Sequence, residues 1–239
     1  MTAITLATAS CSWLDSLDKD PTIDWSADKL YTEARSNLDD GNWTQAKEYY
    51  TKLEARYPFG RYAQQAQIEL IYAYWKDGDA ASAIQAADRY LQSYPNDDNS
   101  AYVMYMKALA TLNETDGWFS WLTNEDVADR DANAAREAFD IFKELLLRFP
   151  DSQYAPEARR RMQQLVIAQA QHELSTAKYY FVRHAYVAAI DRAQRVVREF
   201  QNTPQRDEAL ELIAKSYDAL QLNDLATDTR RIIELNKPN

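Results

Sequence analysis

Residues 40–58, DGNWTQAKEYYTKLEARYP, carry the pattern that decides the fold. Asp40-Gly41-Asn42 is a turn signal, and Pro58 ends whatever helix precedes it. Between them Ala46, Tyr49, Tyr50 and Leu53 recur at i, i+3, i+4 and i+7, one buried face of a helix. The stretch is then repeated down the chain. With Ala46, Ala83, Ala138, Ala189 and Ala226 in one column, Pro58, Pro95, Pro150 and Pro238 fall in a second, 12 residues downstream of four of them.

The steps between successive alanines are 37, 55, 51 and 37 residues. Two of these are close to the tetratricopeptide unit of about 34 residues, and the longer two read as a unit plus an insertion. The expected fold is therefore all-α: a tetratricopeptide-repeat solenoid of about five helix pairs with an insertion in the third unit. In such a stack each pair buries its neighbour's face, and the product is an extended binding surface.

Composition agrees with helix. Ala, Leu, Gln, Arg and Glu are abundant, and 16 Tyr and 6 Trp are available to fill seams between helices. The 4 glycines, Gly41, Gly60, Gly78 and Gly117, fall at expected turns or in the insertion, which leaves little for hairpins or phosphate loops. A net charge of −10 argues against nucleic acid as a ligand. Residues 156–206 run against that balance, with nine Lys or Arg and four Asp or Glu. They form either a solvated face or a docking surface for an acidic partner. The single cysteine excludes an internal disulfide, and no run of 18 apolar residues is present to span a membrane.

Along the chain, residues 1–25 read as a signal remnant, a cysteine and a flexible tether, acidic through Asp15, Asp18, Asp20 and Asp24 and interrupted by Pro21. Helical spacing starts at Ser26, a suitable N-cap. Repeats 1–3 occupy 26–150 and repeats 4–5 occupy 151–239. The second pair carries Ala66, Leu70, Ala73 and Tyr74, turns at Gly78, and continues through Ala83, Ala87 and Tyr90. In the third, helices around Tyr102–Leu112 and Ala134–Leu147 flank a segment with Trp118, Phe119, Trp121 and Leu122, which either folds back on the body or meets a partner. After Pro156 nothing breaks the pattern to Val182, predicting a helix of roughly 26 residues. In the fifth unit Arg230 occupies the column of Tyr50, Ala87, Phe142 and Ala193, as suits a terminal capping repeat.

Catalytic patterns are missing. His172 and His184 stand 12 apart with no partner at metal-ligand spacing, so no metal site and no cofactor is expected. No nucleophile elbow, phosphate cradle or Cys with a plausible His partner occurs, and the chain reads as a non-enzyme.

Three runs exceed a generic repeat: Arg56-Tyr57-Pro58-Phe59-Gly60-Arg61-Tyr62, Tyr102-Val103-Met104-Tyr105-Met106, and Asp129-Arg130-Asp131 followed by Ala135-Arg136-Glu137-Ala138-Phe139. With Asp40-Gly41-Asn42-Trp43 and Cys11, they resemble the BamD (ComL) family of outer-membrane assembly lipoproteins, from about Cys11 to the C-terminus. That resemblance implies a lipoprotein held through Cys11 on the periplasmic face of the outer membrane, with no other membrane contact. Its implied partners are the POTRA domains of the BamA barrel protein, other lipoproteins of the assembly machine, and unfolded outer-membrane β-barrel precursors. Carried over by residue, the peptide-binding positions are Tyr57, Pro58, Phe59, Gly60 and Tyr62, on the substrate side formed by repeats 1–3. The BamA contact is Arg192, on the docking side formed by repeats 4–5.

The column three residues after the alanines reads Tyr49, Ala86, Ile141, Arg192, Thr229, with Arg192 its single charge. That arginine either packs its stem while its head reaches water, or meets a partner's carboxylate. Tyr57 and Phe59 either plug the seam to the next pair or line a ligand groove, with Gly60 expected to let the backbone turn sharply. Ala9 and Ser10 suit the positions before a lipidated Cys11, Thr8 stands where Leu is favoured, and Ser12 rather than Asp follows. A cell-envelope adaptor of the same repeat class, binding other periplasmic proteins, is the alternative. A co-chaperone with a carboxylate clamp is disfavoured, because the first helices offer Gln64, Gln67, Glu69 and Tyr72 where cations are required.

Overall fold

The computed structural model describes residues 20–112 and 128–236, with 128–132 as helix backbone alone. Cys11, the tether ahead of Asp20, Trp118–Leu122 and Pro238 lie outside the described residues. Ten helices and no strand are found among the described residues: α1 (Ala27–Asp39), α2 (Trp43–Arg56), α3 (Ala63–Lys76), α4 (Ala80–Ser93), α5 (Ser100–Thr111), α6 (Ala128–Arg148), α7 (Ala155–Val182), α8 (Tyr186–Glu199), α9 (Gln205–Ala219) and α10 (Asn223–Leu235). They are five consecutive helix pairs, the tetratricopeptide arrangement.

The chain forms two compact units, Met1–Ala86 and Ala87–Asn239, with the division inside α4. In the first, α1 packs on α2 and α2 on α3. Within the second, α5 to α10 pack in chain order, and α7 also meets α9. Ala46, Ala83, Ala138, Ala189 and Ala226 are all fully buried, because a methyl group at each crossing lets two helices approach closely. Four residues on, Tyr50, Ala87, Phe142 and Ala193 are buried too, whereas Arg230 is exposed and pairs with Asp218. The polar residue in that column is thus met by a carboxylate of α9 instead of being buried like its four counterparts.

The 51-residue step has its counterpart among the described residues. α7 has 28 residues against 14 for α3, and that excess is the difference between the 51-residue and 37-residue steps. It opens at Ala155, with Pro156 in the first turn where a missing N–H costs nothing. Its C-terminal half, through Ala170, Leu174 and Ala177, packs against Ile190, Ala193 and Val196 of α8 and Ala209 and Leu212 of α9. α6 starts at Ala128, ahead of the expected Ala134, since no Gly or Pro between Ala128 and Arg148 stops it sooner.

Two turns alternate along the chain. Inside the first, second, fourth and fifth pairs, the first helix ends in a Schellman motif with one residue in the left-handed region: Gly41 (φ 75°), Gly78 (φ 77°), His184 (φ 61°) and Gln221 (φ 61°). The bonds match across the four, for example Gly41 N–H to Leu38 O and Asn42 N–H to Asn37 O, or Gln221 N–H to Asp218 O and Leu222 N–H to Tyr217 O. Between pairs, an aromatic residue closes the second helix. Tyr57, Tyr94, Phe149 and Phe200 each donate their N–H to the carbonyl four residues back, at 2.8, 2.8, 2.8 and 3.0 Å.

Candidate interaction sites

The first turn between pairs holds every peptide-binding position that the sequence nominates. Pro58 has no N–H with which to continue α2, so the chain turns, with Gly60 N–H donating to Tyr57 O at 3.3 Å and Ala63 N–H to Gly60 O at 3.0 Å. The structure then divides the nominated residues into two sets.

Tyr57 and Tyr62 are held in place. Tyr57 is half-buried against the core of the first pair, and its hydroxyl donates to the Trp25 carbonyl at 2.9 Å. Tyr62 stacks on Tyr31 with centroids 4.7 Å apart and planes 16° from parallel. Its hydroxyl donates to Asp28 and receives the Arg61 guanidinium, which lies 4.5 Å over the Tyr62 ring. Both aromatics pack against neighbouring residues and keep one polar edge each.

Pro58, Phe59 and Gly60 are exposed, and Phe59 is 99% exposed. Gly60 departs from expectation. Its φ is not in the left-handed region, and a Cβ there meets nothing nearer than Tyr57 O at 3.6 Å, so the turn does not require glycine. The same backbone is built in the later turns with Asp97, Ser152 and Thr203 at that position.

Beside this turn, residues 20–25 are strapped to the end of α2. The Asp20 carboxylate accepts from the Thr22 N–H at 3.0 Å, the Thr22 hydroxyl at 2.8 Å, Lys52 at 2.9 Å and Arg56, while Arg56 also donates to the Thr22 carbonyl. The hydrogen bond from Lys52, followed by those from Thr22, holds Asp20 well below the usual carboxylate range. Trp25 packs on Tyr49 with centroids 5.3 Å apart. The sequence assigned Asp20 and Asp24 to a tether; the cationic partners of Asp20 lie 32 and 36 residues away, beyond any local pattern.

Arg192 lies on α8, half-buried, with its guanidinium 3.2 Å from Glu173 of α7. Arg195 reaches the same carboxylate at 3.0 Å. Glu173 is 14% exposed in its side chain, so one sheltered carboxylate faces two arginines and a positive excess stays on that face. At the matching positions Ala86, Ile141 and Thr229 are buried apolar or neutral groups. A charge is accommodated at Arg192 because Glu173 is there to meet it. Sequence reading missed Glu173, since nothing in a helical period links it to Arg192, 19 positions on and on a different helix, and without Glu173 the i+3 neighbour Arg195 carried no signal of its own. Elsewhere in the basic stretch, Glu157 takes Arg160 at 2.7 Å and Arg161 at 3.0 Å, and Lys178 pairs with Glu208. The hydrogen bond from Arg160, ahead of that from Arg161, lowers the Glu157 pKa against the effect of burial.

Among the described residues no cluster could hold a metal ion, and no helix is long and apolar enough to cross a membrane.

The chain matches a family model described as outer membrane lipoprotein over residues 23–232. It is similar to "Outer membrane protein assembly factor BamD" of Neisseria meningitidis serogroup B, 42% identical over 98% of this chain and 88% of that protein. The same-named protein of Vibrio cholerae is 36% identical, covering 87% and 86% of the two chains, and that of Xylella fastidiosa (strain Temecula1) is 32% identical, covering 88% and 72%.

Proposed function

Because this chain belongs to the outer membrane lipoprotein family that includes the BamD assembly factors, we propose that it is a scaffold of the outer-membrane β-barrel assembly machine, lipid-anchored through Cys11 on the periplasmic face. It docks on BamA POTRA domains through α8, beside other lipoproteins of the machine, and receives the signal strands of unfolded barrel precursors at the turn after α2. The observation that carries the reading is Phe59. Four turns share one backbone, and at the third position they read Phe59, Asn96, Asp151 and Asn202. Three are polar, as exposed turn tips ordinarily are, and the fourth is a fully exposed benzyl group. An unfolded strand ending in apolar and aromatic residues gains from such a ring, and binds modestly because ordering it costs entropy.

Photocrosslinkers placed at residue 59 and, as a control, at residue 96 test this. Precursor strands should be captured at 59 and not at 96; equal capture at both, or none at 59, overturns the assignment. For docking, Arg192→Ala is expected to weaken binding to isolated POTRA domains by about 2–5 kcal/mol, because a carboxylate of the partner is left unpaired. The fold is retained because Arg195 still meets Glu173. Affinity equal to the native chain leaves Arg192 with an internal role alone.

A further inference from the structure

The first turn between pairs departs from its three counterparts at three consecutive positions. Where the others carry Asn96-Asp97-Asp98, Asp151-Ser152-Gln153 and Asn202-Thr203-Pro204, it carries Phe59-Gly60-Arg61. An apolar ring, a bare backbone and a cation stand where the other turns are polar at the first two positions and neutral or acidic at the third. In the later turns the middle residue can be tied inward, as when the Thr203 hydroxyl donates to Phe200 O at 2.8 Å or Asp97 accepts from the Tyr90 hydroxyl at 2.7 Å. Gly60 has no side chain to tie, although the backbone leaves room for one. Its effect is to leave a gap between Phe59 and Arg61.

Arg61 is 79% exposed in its side chain and oriented by two groups, the Tyr62 ring beneath it and the Tyr62 hydroxyl at one of its nitrogens. Asp28 lies 3.9 Å away and already accepts from the Tyr62 hydroxyl. Both members of that pair are open to water, so the attraction is weak and a second carboxylate can join the guanidinium through its remaining donors. The N–H groups of Gly60 and Ala63 are used within the turn.

We propose that Phe59 and Arg61 together read the free end of a chain: the ring packs on a C-terminal aromatic residue and the guanidinium pairs with its α-carboxylate across the gap at Gly60. This rests on the assignment of the turn to unfolded-strand binding and adds that the terminus itself, as an anion, is recognised. An internal segment of the same sequence lacks that charge and is discriminated against.

The experiment uses the full chain and one fluorescent peptide of alternating polar and apolar residues ending in phenylalanine, made as the free acid and as the C-terminal amide. The acid should bind about three- to fivefold more tightly at low salt, with the preference fading as salt is added. Arg61→Gln should bring the acid down to the level of the amide while leaving amide binding unchanged, and Phe59→Ala should weaken both. Equal binding of acid and amide by the native chain, or a preference that survives Arg61→Gln, overturns the role of Arg61 while leaving the turn as a strand site. If neither peptide binds, or if Phe59→Ala changes nothing, the assignment of the turn falls together with it. Phe59 and Arg61 are exposed, so matching thermal melts for the variants are expected and exclude a folding effect.

Discussion

Between α2 and α3 the chain turns through Tyr57–Ala63, and between α6 and α7 through Phe149–Ala155, with paired backbone bonds of 3.3 and 3.0 Å in the first and 3.1 and 3.0 Å in the second. The residue before each aromatic is an arginine that donates to a carbonyl ahead of its pair's first helix: Arg56 to Thr22 and Arg148 to Pro95. Beyond that frame the two differ. Tyr57 adds a hydroxyl bonded to Trp25, and the tip reads Phe59-Gly60-Arg61 where the third turn has Asp151-Ser152-Gln153. Repetition supplies a turn whose backbone needs no particular tip residues. The tip is therefore free to carry recognition in one copy and solvation in another.

The sharpest way to break this comparison is to separate frame from tip. Tyr57→Ala removes a packed ring and a hydrogen bond to a half-buried carbonyl, and is expected to cost about 2–3 kcal/mol in urea unfolding. Phe59→Ala, two residues on, should cost less than about 0.5 kcal/mol. Equal losses at the two positions would mean that the tip is part of the frame.

A smaller effect tests the turns inside the first, second, fourth and fifth pairs, which share one left-handed position. Gly41→Ala and Gly78→Ala place a side chain where φ is positive and should each cost about 1–2 kcal/mol. Gln221→Gly should do the reverse, gaining up to about 1 kcal/mol less the added freedom of the unfolded chain. Should Gln221→Gly destabilise by as much as Gly41→Ala does, the fifth pair does not turn as the first does.

The smallest expected effect concerns the strap beside Tyr57, which the third turn lacks in this form. Asp20 titrates lower in the folded chain than unfolded, so its contribution is complete above its unfolded pKa of about 3.9 and fades as the pH falls toward the folded value. Melting temperatures of the native chain and Asp20→Asn should differ at neutral pH and converge in acid. A gap that stays constant with pH would assign the strap's stability to Thr22 and Trp25 instead.

Much of the repeat was legible because it is a one-dimensional property. A helix buries every third or fourth residue, so Ala46, Ala83, Ala138, Ala189 and Ala226 announce five crossings, and proline announces where second helices stop. Gly41 and Gly78 likewise mark turns by composition. The left-handed turns at His184 and Gln221 carry no such mark, because the packed pairs on either side impose a conformation that neither residue prefers.

By itself, then, the sequence determined the helix pairs, their order and the length of α7, all of which follow from periodicity and from residues that stop or permit helix. The tertiary structure alone decided which of Tyr57, Phe59 and Tyr62 are packed and which is exposed, since a ring's exposure depends on whether Trp25, Asp28 and Tyr31 reach it from another helix or strap. The partners of Arg192 and Asp20 were settled the same way. Electrostatic pairing acts through distances of a few ångströms in space, and Glu173 and Lys52 come within that range only when α7, α8 and α2 have packed.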